Sequence, residues 1–125
     1  MNSDSLLKTW TVYQSAWGPI SENLRQQLLA ESIHDDFRYS DPSTQLQGRS
    51  ALMARIAMTQ QTFAGAYFKN DSFLAHHDQG LFHWTMYDRD GRPFVKGTSF
   101  GRFGVDGRLI QAAGFFEAPS GRTAA

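Results

Sequence analysis

Cysteine is absent from this chain, which removes disulfides, thiolate metal sites and a thiol nucleophile from consideration and fits a reducing cytoplasm. Net charge is absent as well. Twelve basic residues balance twelve acidic ones, so no field exists to hold a phosphate backbone or an anionic membrane surface, and nucleic acid is not an expected partner. No stretch approaches ~18 apolar residues, and the opening MNSDSLLKTW lacks the basic segment and apolar run of a secretory signal. The chain is therefore expected to be cytoplasmic, neither exported nor membrane-spanning. HExxH, a P-loop, a GxSxG elbow and a dinucleotide fingerprint are also missing, which leaves proteolysis, nucleotide hydrolysis and hydride transfer without support. What the chain does have is bulk. Of its 125 residues 41% are hydrophobic and 14% aromatic, with ten Phe, four Tyr and three Trp. That is enough for one domain, residues 1–125, with a core and the wall of a cavity. The small, polar residues 118–125 are expected to form a flexible tail.

Leu6, Trp10, Tyr13 and Trp17 recur at helical spacing until Gly18-Pro19 stops them. Ser21 can cap a second helix, whose apolar side is Leu24, Leu28, Leu29 and Ile33 and whose end falls near His34-Asp35-Asp36. Phe37 to Ser40 alternates at period two before Asp41-Pro42, predicting a short strand cut off by proline. A loop through Gly48 follows, and Leu52, Ile56, Thr59 and Phe63 then mark a third helix from Arg49. Beyond Gly65 three turn signals, at Asp78-Gln79-Gly80, Asp88 to Gly91 and Val105-Asp106-Gly107, separate four aromatic and β-branched runs. This reads as a four-stranded meander from about Ala66 to Glu117. Three helices need a sheet face to cover, so the fold class is α+β: a curved antiparallel sheet, short strand plus meander, packed on three N-terminal helices and enclosing a pocket.

Strand alternation assigns Phe82, Trp84 and Met86 to one face of a strand. It does the same for Val95, Gly97, Ser99, Gly101 and Phe103, and for Ile110, Ala112, Gly114 and Phe116. Small residues beside large rings on one concave face leave room for a ligand, although glycines in strands also serve bulges and bends. Asp41 has two readings. Asp-Pro opens turns, and a carboxylate after the alternating Phe37 and Tyr39 could instead be a general base in an apolar pocket. His76 and His77 are adjacent on a strand and so face opposite ways, which suits a hairpin end better than a metal site.

The order of these elements resembles the nuclear transport factor 2-like superfamily, especially its SnoaL-like and ketosteroid isomerase-like branches, over nearly the whole chain. The residues that carry the resemblance are Tyr13-x-x-Ala16-Trp17, Asp35-Asp36-Phe37-x-Tyr39-x-Asp41-Pro42, Gly48-Arg49-x-Ala51-Leu52, Gly101-Arg102-Phe103 and Asp106-Gly107-Arg108. The resemblance implies a cone-shaped domain. It also implies a catalytic Asp41 as base with Tyr13 or Tyr39 as donor to an oxyanion, while Ser99 stands where ketosteroid isomerases have an acid donor. Limonene epoxide hydrolases also set a Tyr two residues before a polar group, but their Asp-Arg-Asp set has no counterpart at His83, Thr85 and Gly114. Epoxide hydrolysis is not expected.

The expected function is binding of a hydrophobic small molecule, with isomerase or cyclase chemistry by proton transfer on a carbonyl compound and no cofactor or metal. Its site would comprise Asp41, Tyr13 and Tyr39, with Trp17, Phe82, Trp84, Met86, Ser99, Phe103 and Phe116 as ligand wall. The alternative is a non-catalytic binding or dimerisation module of the same fold. A homodimer through the outer sheet face is expected, because the phase that turns Ser99 and Phe116 inward turns Phe100, Phe115 and Tyr87 outward.

Overall fold

A computed structural model describes residues 2–117, so the expected tail at 118–125 lies outside the described residues. Helix α1 spans Ser3–Ser15, opened by an Asn2 capping box with Ser5. Its buried side is Leu6, Trp10, Tyr13 and Gln14. The helix ends before Trp17, which still points inward from the following turn. Ser21 caps α2, Glu22–Ser32, by accepting from the Leu24 amide at 3.1 Å. The expected stripe on α2 is displaced by one residue: Leu24 is exposed and Arg25 is buried. The cause is the α1–α2 turn, where Arg25 donates to the carbonyls of Ala16 and Gly18 at 2.8 Å and of Ile20 at 3.3 Å. A buried guanidinium is tolerated because it satisfies oxygens that would otherwise be orphaned.

Strand β1 runs Ile33–Asp41, so α2 stops earlier and β1 starts earlier than expected. Thr44–Gln47, expected as loop, is strand β2, a hairpin partner of β1 with Tyr39 opposite Leu46 and Asp41 opposite Thr44. Helix α3 spans Arg49–Thr62 behind Gly48, whose φ of 94° favours glycine. The meander follows as β3 Tyr67–His76, β4 Gln79–Tyr87, β5 Pro93–Phe103 and β6 Leu109–Phe116. The six strands lie in the order β2-β1-β6-β5-β4-β3.

The sheet is mixed where an antiparallel one was expected: β1 pairs with β6 in parallel. Hairpin turns dictate antiparallel pairing only between successive strands. The β1–β6 contact joins distant parts of the chain and is free of that constraint. Register shifts between Asn70 and Ser72 on β3 and between Arg102 and Phe103 on β5 bend the sheet around the helices. The second shift corrects the phase of β6: Leu109, not Ile110, enters the core and is fully buried.

Candidate functional site

The concave face of the sheet divides into two parts. At one end Phe37, Phe82, Phe103, Leu6, Leu29 and Leu109 close a core. At the other end a second cluster of Ala66, Trp84, Met86 and Val95 borders a cavity of about 330 Å³.

Helix α1 lends Trp10, Tyr13 and Gln14 to its lining, with Trp17 just beyond, and α3 lends Arg55 and Thr59. Tyr39 and Asp41 reach it from β1, Trp84 and Met86 from β4, Ser99 from β5 and Phe116 from β6. Eight of the ten residues anticipated from sequence therefore meet around one space. Phe82 and Phe103 do not. Phe82 stacks on Trp10 at 4.2 Å and on Phe73 at 6.0 Å, with Phe103 edge-on at 6.4 Å. Alternation identified their face correctly but carries no information about depth along the strand.

Asp41 is the polar centre, its side chain only 3% exposed. Its Oδ1 accepts from the Ser43 amide at 2.8 Å and from the Ser43 hydroxyl at 2.9 Å, an Asx turn behind Pro42. Its Oδ2 accepts from the Tyr39 hydroxyl at 2.6 Å and stands 3.7 Å from Arg55 Nη2. The turn and the cavity thus engage different oxygens of one carboxylate. Arg55 also donates to the Ser43 hydroxyl at 2.6 Å, bracing the turn from the α3 side.

Both phenols are held protonated. Burial, above all, pushes the Tyr13 hydroxyl far above the ordinary tyrosine value, and the Asp41 charge adds to the rise while a hydrogen bond from Trp17 opposes it. Tyr39 is raised further, by burial first, then by Tyr13 and Asp41, against the pull of Arg55. A phenol that cannot ionise is a standing hydrogen-bond donor. Tyr39 spends its proton on Asp41. Tyr13 makes no such bond to Asp41, which leaves its proton available to whatever occupies the cavity.

Arg55 was missed in the sequence reading. It sits three residues after Leu52 and four before Thr59, a charge inside an apolar stripe, and that misfit was the available signal. Gln14, an uncharged polar residue next to Tyr13 on the buried side of α1, was missed as well. Its side-chain amide Nε2 donates to the Asn70 side-chain Oδ1 at 3.4 Å. His76 and His77 stand at the exposed β3–β4 hairpin, their Nδ1 atoms 3.1 Å apart, well away from the cavity lining.

Comparison with known proteins supplies the family context. The sequence profile of the SnoaL-like domain matches residues 22–112. Among solved structures, a candidate isomerase of the SnoaL-like family from Agrobacterium tumefaciens superposes with a TM-score of 0.84 at 25% identity, covering 92% of this chain and 99% of its own. A candidate SnoaL-like polyketide cyclase from Jannaschia reaches 0.79 at 16% identity, over 97% and 91% of the two chains. A candidate polyketide cyclase from Sinorhizobium meliloti reaches 0.71 at 18%, over 91% and 99%. No protein of curated function matches.

Proposed function

We propose, for a chain that belongs to the SnoaL-like domain family, that the cavity is an active site for isomerisation or cyclisation of a hydrophobic carbonyl compound by proton transfer. The observation that carries this reading is a carboxylate with its side chain 3% exposed, at the edge of an aromatic cavity, with one oxygen fixed by a turn and the other supported by a phenol. Asp41 would take a proton from the carbon next to the carbonyl, and the electron pair would move onto the carbonyl oxygen. Tyr13 would donate to that oxygen as its charge grows. Tyr39 would orient Asp41 through their shared proton, and Arg55, 3.7 Å from the same Oδ2, would help hold the carboxylate in place. The rings of Trp17, Trp84 and Phe116 would hold the apolar body of the substrate and exclude water. The similarity to a candidate isomerase and to candidate cyclases supports this class of reaction.

The alternative, a non-catalytic ligand-binding module, draws on the Asx turn, which alone would account for an Asp at position 41. One experiment separates the two. Thermal shifts against steroid, polyketide and terpenoid carbonyls select a ligand, and exchange of its α-hydrogen for deuterium from heavy water is then followed by NMR. Asp41→Asn keeps the side-chain volume and is expected to slow exchange at least about a thousandfold while leaving folding intact. Unchanged exchange, or a chain that no longer folds, would assign Asp41 to the turn alone.

A further inference from the structure

Gln14 lines the cavity from α1 and is 9% exposed. A carboxamide can give two hydrogens and can receive at its oxygen, yet this one makes a single bond, from Nε2 to Asn70 Oδ1 at 3.4 Å. Its Oε1 receives no hydrogen bond from any described residue, although two donors flank it. Trp10 Nε1, one turn earlier on α1, and Asn70 Nδ2, across on β3, are both enclosed and both without an acceptor among the described residues. Gln14 Oε1, by contrast, is not enclosed. In a planar amide the oxygen points away from the nitrogen, so with Nε2 turned to β3 the oxygen faces the cavity.

The partner of Gln14 sits where β3 is irregular. The register shifts between Asn70 and Ser72, and a bulge of this kind re-aims the side chain beside it. Asn70 lies opposite Trp84, Trp84 opposite Gly97 and Gly97 opposite Phe116, so one row of paired residues crosses β3, β4, β5 and β6. Trp84 and Phe116, their ring centroids 5.6 Å apart, form the apolar middle of that row. Beyond β6 comes β1, which brings Asp41 to the cavity from the opposite side. The cavity therefore has two poles, a carboxylate on β1 and a carboxamide beside β3, with aromatic rings between them.

We propose that Gln14, oriented by Asn70, is a binding residue that accepts a hydrogen bond from a hydroxyl at the end of the ligand remote from its carbonyl. The ligand class is a rigid apolar ketone with a hydroxyl on its far ring. The inference deepens the proton-transfer reading and rests on it for which end of the ligand meets Asp41. A hydroxyl at the β3 pole supplies the hydrogen that Oε1 lacks, whereas an apolar group there would cover Oε1 and leave it without a donor. Asn70 stands behind Gln14, outside the cavity lining, and is a positioning residue: by taking Nε2 it fixes which side of the amide the ligand meets.

The probes are two ketones of different length, 2-tetralone and 4-phenylcyclohexanone. Each is compared with its hydroxylated form, 6-hydroxy-2-tetralone or 4-(4-hydroxyphenyl)cyclohexanone, and with the matching methyl ether, which keeps the oxygen and loses the hydrogen. Affinities are measured by calorimetry, and the readout is the ratio of hydroxylated form to parent, so that a general loosening of the cavity cancels. The unaltered chain is expected to bind at least one hydroxylated form severalfold tighter than its parent and to show no such gain for the ether. Gln14→Met, which keeps an unbranched side chain and loses the amide, is expected to lower the ratio about tenfold, and Gln14→Leu stands in if that chain does not fold. Asn70→Leu should lower it severalfold. A hydroxyl that brings no gain on either ketone, an ether that gains as much, or a ratio untouched at position 14 overturns the proposal. A ratio lowered at position 14 but untouched by Asn70→Leu overturns the positioning role. Deuterium exchange next to the carbonyl of the same ketones reads the other inference separately. Exchange independent of Asp41 with the expected ratios removes proton transfer and leaves the hydroxyl subsite standing, and Asp41-dependent exchange without a hydroxyl preference does the reverse.

Discussion

The two ends of the concave sheet face are built from the same strands in the same phase, yet one is solid and the other hollow. On β4 the inward series is Gly80, Phe82, Trp84 and Met86, and on β5 it is Val95, Gly97, Ser99, Gly101 and Phe103. At the closed end glycine makes room for a ring: a β-carbon at Gly80 would be 2.5 Å from the Phe82 ring, and one at Gly101 would be 3.4 Å from Phe82 and Trp10. The rings therefore lie down on the sheet and fill the space. At the open end Gly97 does the same for Trp84, but Gly114 meets nothing closer than 3.5 Å. Polar side chains, Asp41, Ser99 and Arg55, border the space that is left. Packing and vacancy thus differ in what covers the small residues, not in how many there are.

The largest expected effect tests that contrast directly. Phe82 is fully buried and ring-packed on three sides, so Phe82→Ala should cost about 3–5 kcal/mol in urea denaturation. Phe116, half-buried at the cavity, already borders empty space, and Phe116→Ala should cost less than about half as much. Equal costs would mean that the open end is packed as tightly as the closed one.

Much of this contrast was legible from sequence, and the part that was not has definite causes. Phase placed Trp84, Ser99 and Phe116 on one face because strand geometry is local. Depth placed Phe82 and Phe103 elsewhere, and depth depends on which helix covers which end of the strand. Leu109 replaced Ile110 inside because a register shift inserts a residue that no pattern of hydrophobicity marks. The strand at Thr44–Gln47 has almost no apolar alternation and exists through its pairing with β1. The burial of Arg25 leaves no mark in the helical pattern because its partners are backbone carbonyls, which sequence does not display.

A second prediction uses pH to separate the two ends. Burial raises the Tyr13 and Tyr39 hydroxyls far above their ordinary value. In the unfolded chain both titrate near ~10. Their contribution is therefore complete below that value and is lost as pH rises through it toward the folded values, because only the unfolded state then releases the protons. Stability should fall by up to roughly 1.4 kcal/mol per pH unit per group over that interval. The Tyr13→Phe, Tyr39→Phe double substitution should flatten this limb, followed as the urea midpoint between pH 9 and pH 11. Phe82→Ala should lower the whole curve without changing its slope. A double variant with an unchanged alkaline slope would show that the cavity phenols do not govern it.

The smallest expected effect on the fold concerns the outer face of the sheet. While the inner face of β4, β5 and β6 surrounds a cavity, the outer face carries Leu74 at 68%, Leu81 at 37% and Phe115 at 63% exposure. Leu74 lies opposite Leu81, Leu81 opposite Phe100 and Thr98 opposite Phe115, so these side chains form one patch across four strands. Arg102 sits over the Phe100 ring at 5.8 Å, and His83 bonds Thr98 at 2.9 Å, giving the patch polar margins. An exposed apolar sheet face of this kind can be covered by a second copy related by a two-fold axis, and the protein is expected to dimerise through it. Phe115→Glu places a charge within that patch. Because the side chain is mostly exposed, the change should alter the stability of the monomer by less than about 0.5 kcal/mol. In the dimer the same charge would be desolvated twice, once for each copy, so association should fail at micromolar concentration. Light scattering of the unaltered chain at single-chain mass would sink the expectation outright. A Phe115→Glu chain that stays dimeric would move the interface off this face, which would then be as solvent-facing as the cavity mouth.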